Sequence, residues 1–178
     1  MGEHRKIVIG SFLGLMKSIP IRDETIGEWS YFAEFYMGYS FQKIRLNATF
    51  TYYPEMLLMP GPISVERHLK VLEGSIVVGL NFLSCGKFHY LLKSGAIFAV
   101  GKYTSIHLGD TIYINCFSNM GILIGVTISK SLSRYLSLTL DLGTKHYILK
   151  GNETLRFKIE GINGGFGVKF YFPIQNRR

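Results

Sequence analysis

A serine, a histidine and an acid occur close together in one segment of this chain. Ser105, His107 and Asp110 are residue types that act as nucleophile, general base and orienting acid in acyl transfer, and we expect His68 and His146 near the same rim. Catalysis requires these groups within hydrogen-bond reach, which sequence spacing does not establish. Since five histidines and many serines produce such a group by chance, we expect no catalytic site. Ser105, His107 and Asp110 remain the candidates if the protein is an enzyme.

Neither a metal nor a cofactor is indicated by the sequence. Cys85 and Cys116 lie far apart with no CxxC motif, so the pattern predicts free cysteines rather than a zinc site or a disulfide framework. The net charge is +8, but the basic residues are scattered without a Lys/Arg run, which argues against nucleic-acid binding. We expect no metal, no cofactor and no nucleic acid.

The segments around these residues alternate between apolar and polar side chains with a period of two, which is typical of β-strands with two unlike faces. Trp29 to Phe41 and Ile44 to Tyr52 are joined by a short turn at Gln42-Lys43, as in a hairpin. The remaining strands are predicted at Ile7 to Met16, Lys70 to Leu83, Phe88 to Gly101, Met120 to Ser129, Leu136 to Gly143 and Ile162 to Phe172.

The connections between the eight predicted strands alternate in length. Short turns occur near residues 42, 85 and 132, and long loops are expected near 18–28, 54–67, 102–118 and 148–160. Short and long connections therefore fall at opposite ends of the sheet, with both chain termini at the tight-turn end. This pattern predicts an all-β fold, an eight-stranded antiparallel up-and-down barrel formed as a single domain by residues 1–178.

The period alone does not show which face points inward. A soluble lipocalin-like carrier would place its apolar face inward, whereas a transmembrane barrel would place it outward. Only 18% of the residues are charged, against about 25% in ordinary soluble chains, and the polar face consists mainly of Gly, Ser, Thr and Asn. Small polar side chains suit a crowded lumen better than a water-facing surface, which favours the transmembrane barrel.

The charged residues of the polar face support this orientation. Three are acidic and three basic, and they are predicted to form a polar network inside the barrel: Glu34, Arg45, Glu73, Lys93, Asp141 and Lys169. Such a balance is expected for charges removed from water. On the apolar face, many aromatic residues lie toward strand ends, as in the girdles of membrane barrels. No apolar run is long enough for a helical membrane span.

The N-terminal segment is open to a second interpretation. Arg5 and Lys6 followed by Ile7 to Met16 are similar to a short signal peptide with a basic start and an apolar centre. No small-x-small cleavage pattern follows Met16. We therefore interpret Ile7 to Met16 as the first strand of a mature chain whose own signal was removed or omitted.

Two segments carry a family resemblance. Gly167-Val168-Lys169-Phe170-Tyr171-Phe172 resembles the terminal signature of bacterial outer-membrane barrels, and Gly121 to Gly143 resembles the sixth and seventh strands of the small eight-stranded family. The resemblance implies a bacterial outer-membrane location, with extracellular loops and periplasmic termini. It also implies that Gly167, Phe170 and Phe172 are the signal read by the barrel-assembly machinery. Unlike the family signature, this chain continues from Pro173 to Arg178.

Three functions are compatible with this sequence. We favour a noncatalytic surface barrel with a side-chain-filled lumen. Its long loops would act in adhesion, in contact with a host factor or lipopolysaccharide, or in envelope structure. These loops include Ile19 to Glu28, Met56 to Met59 with Pro60 to Pro62, and Ser105 to Ser118. Met56 to Met59 could be a partner-binding patch, but we favour the lipid-facing top of the third or fourth strand. The alternatives are a lipid A-modifying acyltransferase or deacylase, as in some members of the family, and a soluble carrier.

Overall fold

Eight antiparallel strands form a closed barrel in which each strand pairs with its neighbours in sequence and β1 pairs with β8. The computed structural model describes residues 5–18, 29–58, 65–107, 110–150 and 161–174. The strands are β1 (Lys6–Ser18), β2 (Trp29–Phe41), β3 (Ile44–Leu58), β4 (Val65–Cys85), β5 (Phe88–His107), β6 (Asp110–Ser131), β7 (Leu136–Lys150) and β8 (Gly161–Pro173). Within these residues, no helix has the length and apolarity needed to cross a membrane.

The number, order and direction of the strands confirm the predicted fold, but two of the four predicted long loops, near 54–67 and 102–118, are wrong in their bounds. Most of the segment 102–118 is strand, since β5 ends at His107 and β6 begins at Asp110. Strand β3 continues to Leu58, so Met56 to Leu58 belong to a strand rather than to a loop. Beyond the barrel rim, polar residues occur on both faces of a strand, and the period-two pattern that defines strands in the sequence fades. Residues 19–28, 59–64 and 151–160 lie outside the described part of the chain.

Alternate residues of every strand face opposite sides of the barrel wall, and the apolar set faces outward. Leu13 and Phe166 are 72% and 73% exposed, whereas the interior contains the buried side chains of Glu73, Lys145 and Lys169. This distribution is the reverse of that in water-soluble proteins, where charged residues are almost never fully buried. The prediction that the apolar face points outward is confirmed by these exposures.

Two of the tight turns place a residue in the left-handed region of backbone space. The loop between β2 and β3 has φ 51° at Gln42, and the loop between β4 and β5 has φ 58° at Gly86. Both are the first residues of two-residue hairpin loops, because Phe41 pairs with Ile44 and Cys85 with Phe88. A positive φ at this position alone is typical of a type II′ turn, which favours glycine there.

We expect Gln42→Gly to raise the free energy of unfolding by up to about 1 kcal/mol, because glycine adopts a positive φ without the steric cost borne by glutamine. Gly86→Ala is the converse variant and should lower it by about the same amount, although no atom would clash with the added Cβ. Urea-induced unfolding of the two variants measures both effects. Equal stability of both variants and the parent would contradict this interpretation of the turns.

Candidate functional site: the projecting sheet and the packed lumen

Three neighbouring strands are much longer than the other five. Strands β4, β5 and β6 contain 21, 20 and 22 residues, whereas the others contain 13 to 15. The additional residues lie at the end of the barrel opposite the tight turns and remain paired, since Val65 pairs with His107 and Tyr103 with Asn115. We call these outer parts of the strands, residues 65–69, 103–107 and 110–118, the projecting sheet.

One edge of the projecting sheet is unpaired in the described structure. Strand β6 pairs with β7 only from Asn119, which lies opposite Lys150 at the end of β7. Residues Asp110 to Ser118 therefore pair with β5 on one side, and no described strand pairs with the other side. Their sequence is rich in β-branched and aromatic residues and, after Asp110, contains no charge or proline. Exposed edges usually carry charged residues or proline, which prevent pairing with a further strand.

The described strands beside this edge are shorter than β6. Lys150 ends β7, and Gly161 begins β8 opposite Lys145, five rows back along β7. Lys150 lies opposite Asn119, so the described parts of β7 and β8 end before the level of Asp110 to Asn115.

The structure places the candidate catalytic residues on the projecting sheet. Ser105 and His107 belong to β5 and Asp110 to β6, and the backbones of His107 and Asp110 are direct register partners. His146 lies on the exterior of β7, opposite Ile122, far from this outer end. His107 is seven residues beyond Val100, the exterior residue of β5 that precedes Lys102 at the margin of the apolar band, which corresponds to about 24 Å along the strand. The ester bonds of a membrane lipid would lie nearer to the apolar band.

The outer half of the lumen contains a buried ion pair. The Lys145 ammonium donates to Glu73 Oε1 at 2.5 Å and to the Tyr53 hydroxyl at 2.7 Å. The Tyr147 hydroxyl donates to Glu73 Oε2 at 2.6 Å. Lys145 also lies over the rings of Phe32 and Tyr53, at 5.8 and 5.3 Å from their centroids. Both carboxylate oxygens thus have a donor, as a buried charge requires.

A second ion pair lies in the middle of the lumen. Lys93 donates to Asp141 Oδ2, and the Thr127 hydroxyl donates to Asp141 Oδ1 at 2.5 Å. Glu34 accepts a hydrogen bond of 3.3 Å from Thr51 and has no cation within ion-pair distance among the described residues. Of Asp141 and Glu34, therefore, Asp141 has a cation in direct contact and Glu34 has none among the described residues.

The two lumen cations near the tight-turn end lie over aromatic rings. The Lys169 ammonium lies 5.7 Å from the ring centroids of both Phe12 and Tyr36 and donates to Ser129 at 3.4 Å. The Arg45 guanidinium lies 5.7 Å from the ring centroid of Tyr171. Cation–π contacts of this kind become stronger when the groups are removed from water.

Described residues enclose a small cavity in the lumen. It has a volume of about 20 Å³, which holds about one water molecule. The polar residues Glu34, Lys93, Thr127 and Lys169 are among those that line it. A ligand site for a carrier needs about 300 Å³ or more. This cavity is therefore too small for the ligand of a soluble carrier, and the residues around it form a polar core.

All six charged residues predicted for the lumen face the interior, but the predicted balance of three against three is incomplete. Lys145 is a fourth interior cation and is 2% exposed. It was missed because the predicted strand ended at Gly143, whereas β7 continues to Lys150. Extending the alternation from Asp141 by two steps would have found it. Lys145 pairs with Glu73, and the two interior cations without a described carboxylate partner, Arg45 and Lys169, lie against aromatic rings.

The outer surface of the barrel is a continuous apolar band with cations at both margins. On β5 the exterior positions from Phe88 to Val100 include no charge, and at a strand tilt near 45° this length spans about 30 Å. The flanking exterior cations are Lys130 toward the tight turns and Lys102 toward the projecting sheet. All carboxylate side chains that the structure describes face the lumen.

The residues that resemble an assembly signal lie on β8, next to the closure of the barrel. Phe170 and Phe172 face outward and are 45% and 50% exposed. Gly167 pairs with Phe12 of β1, and a Cβ at this position would collide with the Phe12 ring. Glycine thus allows the Phe12 ring to lie against β8. Cys85 and Cys116 are both exposed and free.

The closed eight-stranded antiparallel barrel is the fold of the small outer-membrane β-barrels. This confirms the resemblance noted in the sequence. No protein-family model matches the chain, and no curated protein sequence is similar to it.

Among the solved structures with this fold is a major outer membrane protein of Thermus thermophilus. It has a TM-score of 0.63 and 12% identity over 94% of this chain and 99% of that chain. The N-terminal β-barrel domain of Pseudomonas aeruginosa OprF has a TM-score of 0.57 and 13% identity over 96% of this chain and 100% of that chain. Ail of Yersinia pestis, in complex with the heparin analogue sucrose octasulfate, has a TM-score of 0.57 and 11% identity over 97% and 100%.

Proposed function

We propose that this protein is a noncatalytic barrel of a bacterial outer membrane that binds extended segments of partner proteins through the open edge of β6. The membrane placement is supported by the apolar band, whose height of about 30 Å matches the hydrocarbon core of a bilayer. In this placement the projecting sheet lies outside the cell and both termini lie in the periplasm. The barrel-assembly machinery would insert the chain by reading Gly167, Phe170 and Phe172.

The edge of β6 from Asp110 to Asn115, with which no described strand pairs, carries the binding part of this proposal. A free strand edge offers backbone donors and acceptors in a row, and an extended peptide satisfies them by adding a strand. The rigid barrel holds the edge beyond the membrane, where a host or bacterial surface protein can reach it. Ail, the attachment invasion locus protein of Yersinia pestis, has the same fold, which is compatible with a role in surface contact.

Catalysis on lipid A is less well supported. Ser105, His107 and Asp110 lie on the projecting sheet, beyond the level at which an acyl ester of a membrane lipid would be found. The lipopolysaccharide contact that the sequence suggested remains a proposal for the barrel exterior, where cations border the apolar band.

Shortening the projecting sheet tests the proposed binding edge. Lys102 and Cys116 are register partners, so residues 103–115 can be replaced by an Asn-Gly turn that closes a two-residue hairpin. We expect peptides selected from a displayed random library on the folded parent protein to lose at least about tenfold in affinity for this variant. Amide exchange of residues 111–115 in the parent should slow when such a peptide is bound.

A matched control replaces residues 151–160 by a Gly/Ser segment of equal length, which leaves the β6 edge unchanged. This variant should retain peptide binding, and both variants should keep the heat-modifiable gel migration of a folded barrel. Full peptide affinity in the shortened variant, or unchanged amide exchange at residues 111–115, would show that the edge is not the binding surface.

A further inference from the structure

Two exposed lysines lie directly opposite each other on the outside of the barrel wall, at the margin of the apolar band. Lys70 of β4 and Lys102 of β5 are register partners, and the next exterior pair toward the tight turns is Leu72 with Val100. Leu72 and Val100 are each 41% exposed. Lys70 and Lys102 are therefore the first exterior residues beyond the apolar band on these two strands.

This arrangement is unfavourable for the isolated sheet. Directly opposed residues of antiparallel strands have Cβ atoms about 5 Å apart, and like charges in this position destabilise the pairing. Among the residues whose side chains the structure describes, which exclude 55–58 and 65–69, neither Lys70 nor Lys102 has a hydrogen bond or an ion pair. An anion between the two ammonium groups would convert this repulsion into two charge-assisted contacts.

The position of the pair indicates which anion is available. If the apolar band spans the hydrocarbon core, residues directly beyond it lie at the level of the lipid headgroups. Lysine stems reach along apolar surface and place their ammonium groups in the polar layer. We propose that Lys70 and Lys102 together bind the phosphate group of a lipid headgroup in the leaflet next to the projecting sheet. The site rests on the membrane placement proposed above and is independent of peptide binding at β6.

The site is tested by the difference in Tm between a variant without the two lysines and the parent, which should change sign when an anionic lipid is added. The variant Lys70→Gln/Lys102→Gln removes the repulsion, so in phosphocholine micelles it should unfold at the same temperature as the parent or at a higher one. Dioctanoyl phosphatidic acid added at about ten times its dissociation constant should raise the Tm of the parent by about 3–5 °C. The double variant should lose most of this rise and become the less stable of the two proteins.

The controls distinguish binding at Lys70 and Lys102 from a general effect of net charge and from binding of free phosphate. Lys43→Gln/Lys87→Gln removes the same charge from the two tight turns and should keep the full rise in Tm. Dioctanoyl phosphatidylcholine or inorganic phosphate at equal concentration should give a much smaller rise. The site is refuted if the Lys70/Lys102 variant responds like the parent, if the tight-turn variant loses the rise, or if inorganic phosphate is equally effective. Failure of the membrane placement would appear differently, as a chain that does not fold into micelles.

Discussion

We expect Lys145→Met to lower the free energy of unfolding by about 3–5 kcal/mol, the largest effect of a single substitution in the lumen. Lys145 and Glu73 are each 2% exposed, and Lys145 Nζ lies 2.5 Å from Glu73 Oε1. Methionine keeps most of the side-chain volume and removes the charge, which leaves the Glu73 carboxylate buried without a counter-charge. Breaking a buried pair in this way costs about 3–5 kcal/mol. Urea-induced unfolding in detergent or lipid measures the loss.

A second substitution identifies the cause of this loss. Glu73→Gln in the Lys145→Met background removes the uncompensated charge and keeps an acceptor for the Tyr147 hydroxyl, so it should restore at least half of the lost stability. Lys130→Met is the control for loss of an exposed cation and should change the free energy of unfolding by less than about 1 kcal/mol. A loss below about 1 kcal/mol for Lys145→Met would contradict the proposed packing of the lumen.

We expect Ile76→Arg to lower the free energy of unfolding in lipid vesicles by about 2–4 kcal/mol. Ile76 is 64% exposed and lies midway along the apolar exterior of β4. An arginine on the lipid face of a membrane barrel costs this much at the bilayer midplane and about 0–1 kcal/mol near an interface. The cost arises because the guanidinium must either enter the hydrocarbon core or draw water into it.

Phe82→Arg is the matched control for depth. Phe82 is 56% exposed and lies on the same exterior face of β4, close to the tight turns. The same introduced residue should therefore cost much less at Phe82 than at Ile76. Equal costs at the two positions, or no cost at Ile76, would mean that lipid does not cover this face.

The strands could be predicted because the two faces of the barrel wall impose a simple pattern on them. Between the two rims, one face of each strand forms the apolar exterior and the other faces the polar lumen, so hydrophobicity alternates strictly, as from Leu136 to Leu142. Beyond the rim both faces are free of this constraint. The segment Tyr103 to His107 has polar residues in both sets of alternate positions, and its strand structure comes from pairing with β4 and β6. Sequence pattern alone predicted a loop there.

The sequence predicted a polar, charged interior but neither its aromatic residues nor the partners across the lumen. Phe32, Tyr36 and Tyr53 occupy interior positions although they are aromatic, because the lumen is filled by large rings above and below its charged centre. The partners across the lumen depend on the stagger of the strands. Lys145 of β7 reaches Glu73 of β4, three strands away around the barrel, and a list of inward-facing residues does not contain that relation.

The predicted aromatic girdles correspond to only part of the exterior. Tyr31 and Phe172 lie toward strand ends, as expected, but Phe35 and Phe98 lie nearer the middle of the band and are 54% and 49% exposed. Aromatic side chains favour strands in general, and phenylalanine has no polar group that requires an interface. Position along a strand is therefore informative for the tyrosines and much less so for the phenylalanines.

The most direct test of the barrel's orientation in lipid is a spin-label scan along β7 in vesicles. Single cysteines at residues 137 to 140, in a Cys85→Ser/Cys116→Ser background, carry the label. Its accessibility to oxygen, which concentrates in lipid, is compared with that to a water-soluble nickel chelate. We predict high oxygen accessibility at Leu138 and Leu140, and low values at Ser137 and Thr139. High nickel accessibility at Leu138 and Leu140 would contradict a membrane-spanning barrel with an apolar exterior.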